Sequence, residues 1–576
     1  MKYNSKIIYG ISLFVFILSS CKSDLKKQLG NNYPKSELDI QHGMELFNLY
    51  CANCHNFMGN EIGPNLNGIT SKVNKEWLVS FIKNPQAMIE KKNERAVELF
   101  KKYKIYMPSF INLDDEELDD LLGFIHKFSE AEKNNKSNRK GGLVDPIKEK
   151  ILPSELSLVI EEWLTIPPSS DEFPKTRINK LETVKFGDKE RFFVCDLRGK
   201  LYEIIGDKAF IYMDFNQLEE NFISTPGFGT GLGSFAFHPD YENNGLFYTT
   251  HTEPAKTKKA DFAIPDSIPV KLQWVLREWE TKLTSASTFS GTKRELLRVD
   301  MLTQIHGVQE IAFNPIVKSG NPDYGMLYIS VGDGGSGLAG HAYLCDSPNL
   351  VWGSVLRIYP NKGNSKNGQY SIPNDNPFTN GKEGLPEIWV RGLRNPHRIS
   401  WDQNGSKKMF VSNIGQHSLE EVNLAQKGGH YGWPHREGSF LFDPQANTEL
   451  VYPIDTANPE FISPVLQYDH DEGNAVSGGY VYASNLIPEL KGKYIFGDIP
   501  RGSLFYANVD EIEQGKQTTI HGLGLKFNGE KTSLAEMNSS QRVDLRFGSN
   551  IEGEVFIFTK SNGTLYRIVG VEKNSP

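Results

Sequence analysis

The sequence predicts two folded units of different class: a small all-α domain near the N-terminus, followed by an all-β six-bladed β-propeller that takes up most of the chain. Three observations carry this. Apolar residues at helical spacing mark residues 38–128. Short apolar or aromatic strands with a polar exit recur from residue 151 onward. The 52 Gly and 30 Pro favour turns over long helices. With 38% hydrophobic and 11% aromatic residues the 576-residue chain has ample material for a core, which excludes disorder. A net charge of -8 offers no electrostatic reason to expect a nucleic acid partner.

Residues 1–20 read as a targeting segment. Lys2 and Lys6 precede an apolar run over 7–18 that is short for a bilayer span, and the run ends Leu18-Ser19-Ser20-Cys21. That ending resembles a bacterial lipoprotein box, which implies cleavage before Cys21, lipid on Cys21 and tethering to a membrane outside the cytoplasm. An ordinary signal peptide cut elsewhere is the alternative. Residues 21–37 form a polar leash.

The all-α domain spans 38–128. Ile40, Met44 and Phe47 share one helical face and lead into Cys51-Ala52-Asn53-Cys54-His55. This C-x-x-C-H run is a c-type haem attachment site: two thiols add across the vinyl groups of one porphyrin, and the adjacent His55 reaches the iron. Zinc would need two further ligands at suitable spacing, and a redox dithiol would have no use for His55. For the sixth ligand, Met58 is too near His55 in sequence, Met88 reads as a core residue, and Met107, before Pro108, lies on an extended loop. Met107 is therefore the expected ligand. Asp114 and Glu117 form a capping box for a closing helix with Leu118, Leu121, Leu122, Ile125 and Phe128 on its apolar stripe. Together with Gly63-Pro64-Asn65-Leu66, the layout resembles a class I cytochrome c, in which the position of Met107 carries the ligand.

Residues 129–150, rich in Lys, Asn, Ser and Glu, read as a flexible linker. The propeller, 151–576, is read from strands such as Phe192-Phe193-Val194-Cys195-Asp196, Leu327-Tyr328-Ile329-Ser330-Val331 and Val555-Phe556-Ile557-Phe558-Thr559. A sandwich explains the strands but not their recurrence. Residues 255–294 read as an insert, partly helical around 272–284, and Cys195 and Cys345 as buried thiols.

A propeller gathers loops at one end of its axis. The loops here hold His306, Gly332-Asp333-Gly334-Gly335, Arg394-Asn395-Pro396 and Arg501-Gly502; a His paired with an Asp can act as a general base, and cations suit an anionic cofactor. Phe235-Ala236-Phe237-His238-Pro239-Asp240, Ser330-Val331-Gly332-Asp333-Gly334-Gly335, Gly392-Leu393-Arg394-Asn395-Pro396 and Lys427-Gly428-Gly429-His430-Tyr431-Gly432-Trp433-Pro434 extend the pattern. Taken jointly these stretches resemble the soluble PQQ-dependent glucose/sorbosone dehydrogenase family. The resemblance implies oxidation of a sugar or alcohol hydroxyl by PQQ, with His306 as the base, Asp333 orienting it and Arg394 beside the quinone oxygen. It further implies Asn395 and Arg501 as cofactor contacts, main-chain oxygens of Gly415 and Gln416 on a calcium ion, and Glu421 on a second, structural Ca2+. Ile305 stands where the glucose-oxidising members have Asp, and the loop 228–233 lacks their glutamine, so glucose itself is not implied.

A cytochrome tethered to a quinone site would drain a two-electron acceptor one electron at a time. The expected whole is an extracytoplasmic, lipid-anchored quinohaemoprotein dehydrogenase that passes electrons to a respiratory acceptor. A cofactor-free propeller binding module, or a propeller with a different prosthetic group, is the alternative.

Overall fold

The computed structural model describes residues 33, 36–51, 54–55, 63–131, 141–227, 229–381, 383–444, 448–454, 460–538 and 542–573. The targeting segment with Cys21, most of the leash, Met58, Phe228 and residues 132–140 of the linker lie outside these.

The N-terminal unit is a small helical domain. Its first helix, Glu37–Leu46, is capped by Ser36, whose side chain accepts the Asp39 N–H, and it runs into a wider π-turn, Phe47–Cys51. This helix crosses the closing helix Asp115–Ala131 at Gly43, where any Cβ would lie 2.0 Å from the Asp120 carbonyl oxygen; only glycine permits that approach. The closing helix starts with a reciprocal capping box: Asp114 N–H donates to Glu117 Oε2 and Glu117 N–H to Asp114 Oδ1, both at 2.9 Å. Leu118, Leu121, Leu122 and Ile125 bury its stripe against Ile40, Leu46 and Phe47. The helices Lys75–Lys83, Pro85–Glu90 and Glu94–Tyr103 begin on Asn74, Asn84 and Asn93, each accepting a backbone N–H.

The C-terminal unit is a propeller-like domain of antiparallel sheets. Four of them are four-stranded; three are built from consecutive strands of the chain, and in the fourth a small hairpin, Arg436–Glu437 with Phe440–Leu441, intervenes before the last strand. The first sheet, for example, joins Ile178–Phe186, Lys189–Asp196, Lys200–Ile205 and Lys208–Asp214. A further sheet has nine strands and joins the two ends of the domain: Leu152–Thr165 pairs antiparallel with the last strand Thr564–Lys573, and parallel with His521–Phe527. Closing the ring with the chain's own ends removes an exposed sheet edge.

Two expectations change. Residues 272–281 are not helical: Leu272–Thr281 is a strand between Leu246–Pro254 and Gly291–Met301. Its Leu, Gln, Arg and Glu content suits a helix in isolation, but Trp274, Val275, Leu276 and Trp279 are buried on both faces of a sheet, and tertiary burial overrides propensity. Nor is the linker free over its second half, because Leu143 N–H donates to the Val451 carbonyl at 2.8 Å and Ile147 N–H to Asp469 at 3.1 Å. Cys195 and Cys345 are buried and unpaired as thiols.

The largest core cluster lies between sheets and includes Ile329, Leu356, Trp274 and Val331, all buried. Ile329→Ala is expected to cost about 2–5 kcal/mol, read as a lower urea midpoint for the propeller domain; a change below about 0.5 kcal/mol would show that this layer is loosely packed.

Candidate functional site

Two cavities adjoin. The first, in the helical domain, has about 570 Å³ of empty space and an apolar lining that includes Phe81, Ile89, Leu99, Phe100, Tyr106 and Pro108. Cys54, His55 and Met107 all border it. The turn after the π-turn brings them there: the N–H groups of Cys54 and His55 both donate to the Cys51 carbonyl, at 3.0 and 2.9 Å. His55 Nδ1 bonds to the Pro64 carbonyl at 2.8 Å, and burial pushes its pKa below the usual histidine value. The ring is then neutral with its proton on Nδ1, and the Nε2 lone pair is left for a metal. Gly63 lies flat against this ring; a Cβ there would stand 2.4 Å from His55 Cε1. A thiol, an oriented imidazole and a thioether around one apolar space, with Cys51 on the same turn as Cys54, fit a covalently attached haem.

The second cavity opens to solvent at one end of the propeller axis, with about 860 Å³ of empty space when its open mouth is included. Its wall comes from loops that enter inner strands and turns that leave second strands. His306 and Gln309 precede Glu310–Phe313; Arg394 leads into Asn395–Trp401; Gly415 and Gln416 follow Met409–Ile414. Arg542 precedes Leu545–Ser549, and Lys560 follows Val555–Thr559.

His306 adopts a left-handed backbone, φ 52°, uncommon for a non-glycine residue and found where a site holds strain. Its Nδ1 is 2.7 Å from Asp333 Oδ1, although the two stand 27 positions apart in the chain. Asp333 is held in turn by the N–H groups of Gly335 (2.8 Å) and Gly337 (3.0 Å), and its own N–H donates to the Arg394 carbonyl at 2.8 Å. Burial alone would raise the Asp333 pKa; His306, Arg394 and the Gly337 N–H outweigh it and keep the carboxylate ionised. Burial and then the Arg394 charge draw the His306 pKa below its ordinary value, against Asp333. The result is a neutral imidazole with its proton on the Asp333 side and its Nε2 turned to the cavity, the arrangement a general base needs.

Arg394 Nε donates to the Gln416 side-chain oxygen and its Nη1 to the Gly415 carbonyl, both at 2.5 Å. Asn395 also borders the cavity. Arg501 does not: its guanidinium turns behind the wall onto Asn474 Oδ1 and the carbonyls of His470 and Asp471. Its place among the lining cations is taken by Arg542, Arg546 and Lys560. These were not legible as a set, since nothing local marks Arg542-Val543-Asp544-Leu545-Arg546 as different from an ordinary strand start. Burial and the charge of Arg398 push Arg546 down to about 9, and burial with Arg546 pulls Lys560 well below its usual value. Gln309, bonded to the Gly229 carbonyl at 2.5 Å, puts a glutamine on this wall that the 228–233 loop does not supply.

Crowded cations without a lining carboxylate among the described residues are costly unless an anion fills the space. The residues therefore fit a small polycarboxylate such as PQQ. They do not of themselves make a calcium site: the Gly415 carbonyl accepts from the Arg394 guanidinium, whose positive charge opposes a cation there. Glu421, buried, accepts from Asn413, Asn423 and Gly438 rather than facing other oxygen ligands, and burial pushes it up to about 7. A carboxyl so disposed toward neutrality and enclosed by N–H donors is a poor cation ligand.

A cavity around a C-x-x-C-H turn, next to a propeller mouth with a His–Asp pair and a cationic wall, marks a propeller-like domain joined to a c-type cytochrome domain. Residues 183–567 match the Glucose / Sorbosone dehydrogenase family model and residues 40–129 the Cytochrome c model. The chain belongs to the glucose/sorbosone dehydrogenase family, with a cytochrome c domain before the propeller. Among curated relatives, HIPL1 protein of Arabidopsis thaliana is 30% identical over 59% of this chain and 53% of its own length. Quinoprotein glucose dehydrogenase B of Acinetobacter calcoaceticus is 28% identical over 47% of this chain and 54% of its own. The chain thus spans about half the length of the curated relatives it matches. The solved PQQ-bound aldose sugar dehydrogenase of Streptomyces coelicolor aligns with 73% of this chain and 100% of its own, at 18% identity and a TM-score of 0.46.

Proposed function

We propose that this protein oxidises a sugar or alcohol hydroxyl in the propeller cavity with PQQ as acceptor, and that the haem of the N-terminal domain receives the electrons. The observation that carries this is the His306–Asp333 pair opening onto a cavity walled by Arg394, Arg542, Arg546 and Lys560. PQQ, when bound, supplies a two-electron quinone acceptor. His306 Nε2 takes the proton of the substrate hydroxyl while Asp333 holds the ring and stabilises the imidazolium that forms. Arg394 lies beside His306, where its charge favours negative charge developing on an oxygen. Arg542, Arg546 and Lys560 hold the carboxylates of the cofactor. No step is assigned to calcium.

The six-bladed reading divides the nine-stranded sheet into two blades at the parallel pair, and is supported by inner strands that contact one another around the axis. The wider setting proposed is a lipid on Cys21, a membrane surface outside the cytoplasm and a respiratory one-electron acceptor. The test is the haem absorbance of the full chain with PQQ, Ca2+ and a panel of sugars and alcohols. Reduction that needs both PQQ and substrate is expected. Absence of reduction by every substrate at verified PQQ occupancy would overturn the reading and favour a binding module.

A further inference from the structure

Among the described residues, one side chain lines both cavities: Arg542. Its Nη1 donates to Cys54 Sγ at 2.8 Å and its Nε to Asp544 Oδ1 at 2.6 Å. The main chain beneath it is pinned as well, because its carbonyl accepts from Asn538 Nδ2 and Ser561 Oγ, both at 3.0 Å. Asp544 sits in a left-handed conformation, φ 51°, and its carbonyl accepts the Lys560 N–H at 3.0 Å. The turn that delivers Lys560 to the cationic cavity therefore also fixes the clamp on Arg542. In the haem-bearing protein Cys54 Sγ is a thioether on the edge of the porphyrin. A guanidinium touching that sulfur leaves one side chain between the macrocycle edge and the propeller cavity. A further hydrogen bond between the domains among the described residues, Asn65 Nδ2 to Glu449 Oε1 at 3.3 Å, involves residues that line neither cavity.

We propose that Arg542 is the electronic bridge of this protein: electrons leave the propeller cavity beside its guanidinium and enter the haem at the Cys54 thioether edge. The proposal rests on the reading above for the direction of flow, and adds the route and the residue that sets it. Each reduced cofactor gives up two electrons and two protons. The electrons pass singly, each converting ferric to ferrous haem, and an external one-electron acceptor reoxidises the haem between the two; the protons go to solvent. Arg542 is a positioning residue and is not itself oxidised. It shortens the gap, and its positive charge beside the porphyrin favours the ferrous state.

The test uses the full, haem-bearing chain with Arg542→Gln, Arg542→Lys and Asp544→Asn. In the cofactor-free protein, redox titration should give a lower haem midpoint potential for R542Q, while R542K, which keeps the charge, stays near the wild type. In the PQQ-loaded protein, stopped-flow haem reduction is divided by reduction of a small dye that takes electrons from the cofactor directly. That ratio should fall at least tenfold in R542Q and less in D544N, where the guanidinium keeps its charge but loses its clamp. An unchanged potential and an unchanged ratio in R542Q would overturn the bridge. A wild type that reduces the dye but never its own haem would instead remove the underlying reading of the haem as acceptor.

Discussion

His306→Asn is expected to lower dye-linked substrate oxidation, at saturating PQQ, by about 10²- to 10⁴-fold, the range for losing a positioned general base. The haem spectrum should not change, because His306 lines the propeller cavity and not the haem cavity. The wild-type rate should carry an acid limb, since His306 accepts a proton only when neutral. Burial and Arg394 place its pKa below the ordinary histidine value, so the rate should hold through mildly acidic pH and fall only as pH drops through that lowered pKa. Asp333→Asn gives the sharper diagnosis. It removes the acceptor that keeps the proton on Nδ1, so the ring can present N–H rather than a lone pair to the cavity, and a loss of similar size follows. It also removes the carboxylate that raises the His306 pKa, so the residual acid limb should move to lower pH. Full activity in either variant, measured by initial rates across pH, would take His306 out of the chemistry.

The second large effect concerns the cationic wall. Arg546→Gln and Lys560→Met should each weaken PQQ binding by about 10- to 100-fold, the scale of a lost hydrogen bond to a charged group, and binding by the wild type should weaken with added salt. The same changes should act oppositely on the empty protein. Lys560 is buried and held toward neutrality by burial and by Arg546, so its ionised form opposes folding and a side chain that cannot ionise avoids that cost. The cofactor-free melting temperature of K560M is expected to rise. Calorimetry for affinity and a thermal melt without PQQ separate the two. A fall in both would mean that Lys560 supports the fold rather than a ligand.

What could be read in the sequence follows how far apart the interacting residues stand in the chain. The haem turn is local: Cys51, Cys54 and His55 fall within one bend, and the Pro64 carbonyl that orients the imidazole is nine residues away. The capping box of Asp114 and Glu117 is equally local. Residues 272–281 show the limit of such reasoning, since their composition suits a helix and only their burial between neighbouring strands makes them a strand. His306 and Asp333 could be singled out because their glycine-rich setting carries a pattern, yet the 2.7 Å contact between them belongs to the folded state.

The sequence by itself determined the two classes of domain, the haem attachment chemistry and the His, Asp and Arg types available to a propeller mouth, because each is encoded in short contiguous runs. Only the tertiary structure decided which cations face the cavity. Arg501 is drawn aside by Asn474 and two backbone carbonyls, whereas ring closure brings Arg542, Arg546 and Lys560 from the end of the chain to the same wall. It also decided that Arg542 meets Cys54, 488 positions earlier. Contacts across such distances depend on how the sheets close around the axis, and no local pattern of residues records that.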